Sequence, residues 1–276
     1  MKEKLTAIIP TLNEAHNIAG CLDSVGWADE VIVVDSFSTD STVDICKKYG
    51  VRVLEHEYVN SASQKNWVLP RASNRWVLIV DADERVTDSL RCEISRLLDG
   101  RLECEGYWIR RRNRFLGREI RHCGWERDKV LRLFDRTKGR YEEKHVHAEV
   151  VLQGGIGFLK SFLLHESYTD FSAYLAKLDR YSDWGARDLA QRGAGWVIAR
   201  LLFRPPARFV RMYVLQLGFL EGIQGFILCA LAAVSVFMKY SKLWRLSRGG
   251  GRAMPGGTSD CTGTESSRRP RGEANS

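Results

Sequence analysis

Trp76-Val-Leu-Ile-Val80-Asp81-Ala-Asp83-Glu84 is the stretch that decides the fold. Five apolar residues without a polar break read as a strand covered on both faces, as in a parallel sheet. The run stops at carboxylates spaced i and i+2. A strand ending this way delivers them to one crevice at the carboxyl edge of its sheet, where ligands of α/β proteins bind. Two hard oxygen ligands suit Mg2+ or Mn2+, ions that take a few carboxylates and leave other positions to water and phosphate.

Outward from this stretch the pattern repeats. Leu5–Pro10, Glu30–Asp35 and Val51–Glu57 are further short apolar runs, and the segments between them have helical spacing. Asn13 is placed to cap a helix carrying Ile18, Leu22 and Val25. Thr39 or Asp40 is placed to cap one carrying Val43, Ile45 and Cys46 that stops at Gly50. Strands alternating with helices predict an α/β fold, a mostly parallel sheet flanked by helices. Val31–Asp35 brings a second acid to the same edge, ahead of the polar turn Ser36-Phe-Ser-Thr-Asp40. Ile8-Ile-Pro10-Thr11-Leu-Asn13-Glu14 ends a third strand at a helix start, whose N–H groups suit an anion or a polar nucleotide edge.

Beyond residue 100, GYWIRRRNRF, KVLRLFDR and AEVVLQGG read as strands with longer connections, and from Phe171 the spacing is helical. The basic run Arg110–Arg114 suits a phosphorylated acceptor. Gly124-Trp-Glu126-Arg-Asp128-Lys129 carries two acids, and His145, His147 and His165 are candidates to assist a metal or phosphate.

Four ordered segments, IPTLNE (9–14), VVDSFSTDST (33–42), QKN (64–66) and VDADE (80–84), resemble the family 2 glycosyltransferases of GT-A fold over residues 5–165. The resemblance implies a nucleotide-sugar donor, usually a UDP-sugar, a Mg2+ or Mn2+ ion, and inversion at the anomeric carbon. By that resemblance Pro10, Thr11 and Glu14 lie against the nucleoside and Asp35 binds the base. Lys65 lies near the base or phosphates, Asp81 contacts ribose or metal, and Asp83 holds the metal. Asp128 is the expected catalytic base, with Glu126 as the alternative. Ser36-Phe37 departs from the Asp-Gly usual after the second strand. The second half narrows the resemblance to bacterial lipopolysaccharide inner-core β-1,4-glucosyltransferases, with Val146-His147-Ala148 where Val-His-Glu is common. That implies glucose, from UDP-glucose, moved onto a heptose of a lipid-linked core.

The chain of 276 residues carries a net charge of +8, which points to anionic partners. Residues 200–248 hold eight basic residues against one acid, Glu221, and flank the apolar stretch Val214–Met238. Arg200, Arg204, Arg208 and Arg211 recur at helical spacing, with Pro205-Pro206 expected to interrupt any helix. The stretch reads as a segment lying in or dipping into an anionic membrane surface, which places the protein on the cytoplasmic face of the bacterial inner membrane. The expected organisation is a catalytic domain over 1–170, a helical membrane-associating segment over 171–245, and a disordered Gly/Ser/Arg-rich tail over 246–276. A polyprenyl-phosphate sugar transferase would share the donor site and differ in its acceptor. A nucleic-acid binder is disfavoured because the charge clusters around an apolar segment rather than a nucleic-acid motif. A dinucleotide-dependent oxidoreductase is disfavoured because the first strand–helix turn lacks GxGxxG. The seven cysteines, in no CxxC pair, suit a reducing compartment.

Overall fold

The computed structural model describes residues 2–100, 102–142, 149–168, 171–193 and 195–248. Strands β1 (Leu5–Thr11), β2 (Glu30–Asp35), β3 (Arg52–Glu55) and β4 (Trp76–Ile79) pair in parallel in the order β3-β2-β1-β4. Helices α1 (Ile18–Val25), α2 (Thr42–Lys48) and α3 (Ser61–Val68) connect them. The period of two along β1 builds two cores from one strand. Leu5, Ala7 and Ile9 face Ile18, Leu22 and Val25 of α1, while Ile8 faces Ala62 and Val68 of α3.

Past β4 the sheet becomes mixed. The chain adds β5 (Glu84–Val86), α4 (Asp88–Asp99), β6 (Gly106–Phe115), β7 (Arg118–Glu119), β8 (Lys129–Asp135), the hairpin-like pair β9 (Gly139–Tyr141) and β10 (Val150–Leu152), and β11 (Ile156–Tyr168). The large sheet runs β3-β2-β1-β4-β8-β6-β11-β5, with β7 beside β6. β8 is antiparallel to β4, Leu78 facing Leu133. That reversal matters for chemistry, because it turns the start of β8 toward the acidic end of β4. β6, antiparallel to β8, then sends its last residues to the same edge. β11 and β5, antiparallel to each other, set His165 opposite Glu84.

Local chemistry differs from expectation at Asn13. It adopts the left-handed region (φ +55°), and its side-chain oxygen accepts from Thr39 N–H at 2.8 Å. Asn13 therefore ties the first loop to the second, and α1 begins four residues later, after Asn17. Asp40 does serve α2, accepting from Thr42 N–H at 3.0 Å, and Gly50 follows that helix at φ +67°.

The C-terminal region is three packed helices, α5 (Phe171–Gln191), α6 (Val197–Val210) and α7 (Gly222–Arg248). α6 continues through Pro205 and Pro206, contrary to the expected interruption. The prolines have no N–H to offer the carbonyls of Leu201 and Leu202. Leu202 is 63% exposed, so water can reach that side of the helix, and α6 is braced along α7. Beyond α6, Arg211–Leu215 widens into a π turn and Leu217 takes φ +55°. The apolar stretch is thus divided, and α7 starts only after the 3-10 turn Gly218–Glu221. α7 runs three residues into the expected tail, and residues 249–276 lie outside the described residues.

The boundary near 170 separates strands from helices but not cores. Phe115, Ile120 and Cys123 of the sheet region share one apolar cluster with Tyr174, Met212, Leu228 and Cys229. Cys123 N–H donates to the Gln216 carbonyl at 2.9 Å. The buried Glu221 accepts from Arg121 N–H at 2.9 Å and lies 2.6 Å from His122 Nδ1.

Candidate functional site

The parallel half of the sheet ends where expected. Thr11 closes β1, buried, and its hydroxyl has no hydrogen-bond partner among the described residues. A buried hydroxyl without a partner is costly, so one at a strand end suits a ligand that supplies it. Pro10 precedes it on the same strand. Asp35 closes β2, with its carboxylate accepting from Ser38 N–H (2.7 Å) and Ser38 Oγ (2.5 Å). Glu14 accepts from Asn17 Nδ2 at 2.8 Å, and burial raises its carboxyl above the usual range despite that bond. Phe37, in the turn that departs from Asp-Gly, takes φ +61° and is 57% exposed.

At the end of β4 the two aspartates separate in role. Asp81 binds cations: Lys65 Nζ lies 3.1 Å from its Oδ1, and the Arg132 guanidinium grips both its oxygens. Burial pushes the Asp81 carboxyl up, but Arg132 and Lys65 outweigh it and hold the group far below the carboxylate range. Asp83 instead faces an imidazole, with Oδ2 3.2 Å from His165 Nε2. Burial raises its carboxyl, the His165 hydrogen bond and charge lower it, and the net direction is down.

His165 Nδ1 lies 2.6 Å from Asn113 Oδ1. A carbonyl oxygen requires a donor, so Nδ1 carries a proton and Nε2 is the nitrogen that faces Asp83. A proton or a cation between Nε2 and the carboxylate would hold the two together. Their separation matches adjacent ligands around an ion with ~2.1 Å bonds, which sit about 3 Å apart. A histidine oriented through its other nitrogen is also the usual arrangement at a metal. Asp83 and His165 therefore fit Mg2+ or Mn2+, with the remaining positions left to water and a diphosphate. Among the described residues no third His, Cys, Asp or Glu joins them.

Asp128 sits at the far end of the same network. Arg111 holds it with two hydrogen bonds, 3.0 and 2.9 Å, and Asn113 Nδ2 donates to it at 2.9 Å. Glu84, fully buried, accepts from Asp81 N–H and contacts both Arg132 (3.2 Å) and Arg111 (3.3 Å). The contacts run from Asp81 through Arg132, Glu84, Arg111, Asp128, Asn113 and His165 to Asp83, and only the backbone across Ala82 completes the ring. Asp128 and the Arg111 that holds it line two clefts in common. One, of about 270 Å3, also contains Lys65, Arg132 and Tyr141. The other, of about 390 Å3, contains His165, Trp125 and Arg127. Glu126 is not in either. It pairs with Arg127 at 3.5 Å and lines a different groove beside Arg110, Arg112 and Arg121.

Four members of the ring were not singled out from sequence. Glu84 was legible only as a third acid of its motif. Arg132 carried a signal, a charge in the middle of the apolar strand VLRLF. Arg111 and Asn113 were buried in the run Arg110–Arg114, which alternation splits: Arg111 and Asn113 turn inward while Arg110 and Arg112 are exposed. His145 and His147 lie outside the described residues.

The half-parallel sheet with its acidic edge and flanking helices is an α/β architecture of GT-A type. The match to known proteins is more specific: the model of glycosyl transferase family 2 fits residues 6–158, and the chain belongs to that family. It is 30% identical over 251 residues to the lipopolysaccharide core biosynthesis glycosyltransferase LpsC of Rhizobium meliloti, covering 88% of this chain and 93% of the relative. It is 28% identical to an uncharacterized glycosyltransferase of Rickettsia conorii, covering 88% and 90%. A solved glucosyl-3-phosphoglycerate synthase from Mycobacterium tuberculosis, in complex with Mn2+, UDP and glucosyl-3-phosphoglycerate, is 23% identical over 41% of this chain and 44% of its own, with a TM-score of 0.35. A superposition that loose adds nothing to the reading of the site. The kinship to LpsC supports sugar transfer in lipopolysaccharide synthesis.

Proposed function

We propose that the protein is an inverting, metal-dependent glucosyltransferase that moves glucose from UDP-glucose onto a heptose of the lipid-linked lipopolysaccharide inner core. The observation that carries this reading is Asp128, held rigidly at the junction of the two clefts. In this reading Thr11, Glu14 and Asp35 receive the nucleoside, and Lys65, fixed by Asp81, faces the diphosphate. Asp83 with His165 holds Mg2+ or Mn2+, which when bound neutralises charge on the leaving diphosphate. The acceptor hydroxyl enters from the Trp125 side, and Asp128 Oδ accepts its proton as the oxygen attacks the anomeric carbon from the face opposite the diphosphate. Arg111 and Asn113 keep the carboxylate aimed, so little reorganisation is needed at the moment of reaction.

The reading also places the protein on the cytoplasmic face of the inner membrane, attached by α6 and α7. Phe203 (71%) and Leu202 (63%) of α6, Ile223 (65%) of α7 and Leu215 (74%) of the π turn between them are exposed, among basic residues suited to anionic headgroups. Gly218–Arg248 is long and apolar enough to cross a membrane, with 22% of its apolar window buried. Its partner α5 argues for a surface position. Lys242 of α7, beyond the apolar stretch, pairs with Asp179 (2.6 Å) and Asp183 (3.1 Å) of α5, a charged contact suited to the polar side of a membrane surface. The organisation proposed is a catalytic domain over 1–170 and a membrane-attached helical unit after it.

Calorimetry with UDP-glucose and Mn2+, together with transfer of labelled glucose to core-truncated lipopolysaccharide or to polyprenyl phosphate, tests the reading. Wild type should bind the donor only with metal and glycosylate the truncated core, and Asp83→Asn should lose both. Donor binding without metal in both proteins removes the metal site, and transfer to polyprenyl phosphate alone replaces the acceptor.

A further inference from the structure

A cleft of about 560 Å3 lies away from the sheet edge, between α5, α6 and α7. Its chemistry is lopsided. Arg204, Arg208 and Arg211 enter from one face of α6 and the turn after it, at spacings of four and three residues, and Lys239 enters from α7. Among the described residues no Asp or Glu lines it. None of the four cations has an ion pair among the described residues, whereas Lys242, three residues from Lys239, takes two acids of α5. Burial and the charges of Arg204 and Arg208 lower the affinity of Lys239 for its proton, the mark of like charges gathered without a counter-ion. Met212, Leu228, Ala232 and Val236 give the same cleft an apolar lining beside the cations.

Trp125 connects this cleft to the chemistry. Its side chain lines both the basic cleft and the cleft of Asp128 and His165. A molecule that reaches Asp128 with its sugar can therefore lay a charged, chain-bearing end across Trp125 into the helices. Cations around an anion and an apolar wall beside it match a phosphate joined to hydrocarbon chains. We propose that the α5–α6–α7 cleft binds the lipid phosphate of the acceptor itself. It thereby selects phosphorylated lipid-linked sugars over the same sugars free in solution. This rests on the lipid-linked acceptor of the preceding section.

The full chain tests it with two readouts. The first is flotation with phosphatidylcholine vesicles containing 10% phosphatidic acid, which needs no transfer activity. The second is the acceptor KM for core-truncated lipopolysaccharide before and after enzymatic removal of its lipid phosphates. Arg208→Gln/Lys239→Gln should lose the phosphatidic-acid-dependent part of flotation and raise the acceptor KM about tenfold, with the KM for UDP-glucose unchanged. The dephosphorylated acceptor should show that raised KM with wild type and no further loss with the variant. Arg91→Gln/Arg96→Gln, which removes two exposed charges from α4, should leave both readouts unchanged. Equal losses in the two variants would mean general charge rather than a site and overturn the proposal. Lost flotation with an unchanged acceptor KM would make the cleft a site for bulk lipid and overturn its acceptor role. If wild type transfers glucose to no lipopolysaccharide, the acceptor reading falls with the function, and flotation alone decides whether the cleft binds a lipid phosphate.

Discussion

The acidic edge of the sheet and the cleft among the C-terminal helices both gather charge, and they treat it in opposite ways. At the sheet edge Lys65, Arg111 and Arg132 are matched against Asp81, Glu84 and Asp128, each contact at hydrogen-bonding distance. Among the helices four cations share a cleft that no acid among the described residues lines. A buried pair is held in place by its partner, and removing either leaves an uncompensated charge. The first region therefore carries its own neutraliser and gains a fixed geometry. The second leaves neutralisation to something outside the chain. Self-sufficient charge suits a step in which a proton and a diphosphate move, because the surrounding dipoles are set beforehand. Unmatched charge suits capture of a partner that arrives with its own.

The contrast breaks most visibly at Asp128. Asp128→Asn keeps the shape and a hydrogen-bond acceptor but cannot take a proton. Transfer should fall by at least about 10³-fold while calorimetric UDP binding stays as in wild type. Glu126→Gln, outside both clefts, should retain transfer, and the opposite ranking in initial-rate assays would move the base to Glu126. Next comes Glu84→Ala, which takes from Arg111 and Arg132 the carboxylate they share. Urea unfolding should show a loss of ~3 kcal/mol or more. A loss below ~1 kcal/mol would mean that the ring is not held by its buried acid. The smallest effect has the opposite sign. Arg208→Gln/Lys239→Gln removes repulsion rather than attraction, so the lipid-free protein should be stabilised, by up to ~0.5 kcal/mol. Destabilisation in the same urea experiment would show these cations to be matched within the fold.

The sequence displayed one side of this contrast better than the other. Strands β1, β2 and β4 were legible because each is a buried apolar run that ends in a polar residue at one edge, a local pattern that needs no partner to be read. Asp81 and Asp83 were singled out for the same reason, at the end of an apolar run, whereas Asp128, with Glu126 as the alternative, was singled out through the family resemblance. Arg132 and Arg111 were not assigned, because alternation tells which face a side chain takes but not which carboxylate waits across the next strand. That depends on the reversal of β8 against β4, a long-range pairing. Asn13 looked like a helix cap, and only the approach of the Ser38–Thr39 turn makes its left-handed conformation worthwhile. At Pro205-Pro206 a local rule lost to packing along α7. The basic helical spacing in α6 was visible, but the cleft required knowing that Lys239 returns from a distant helix.

The tie between Glu221 and the 121–122 loop bears on where this protein can be divided. The family match ends at residue 158, and every carboxylate given a chemical role above precedes residue 130. Yet the peptide leading to Asp128 is held from behind by Gln216 and Glu221. A gene truncated after the last strand would encode all the reactive carboxylates and omit the buttress that aims one of them. Exchange of acceptor modules between relatives should therefore succeed only when the 121–125 loop and residues 216–221 travel together, which makes that pair, rather than the strand–helix border, the natural seam for building chimeras.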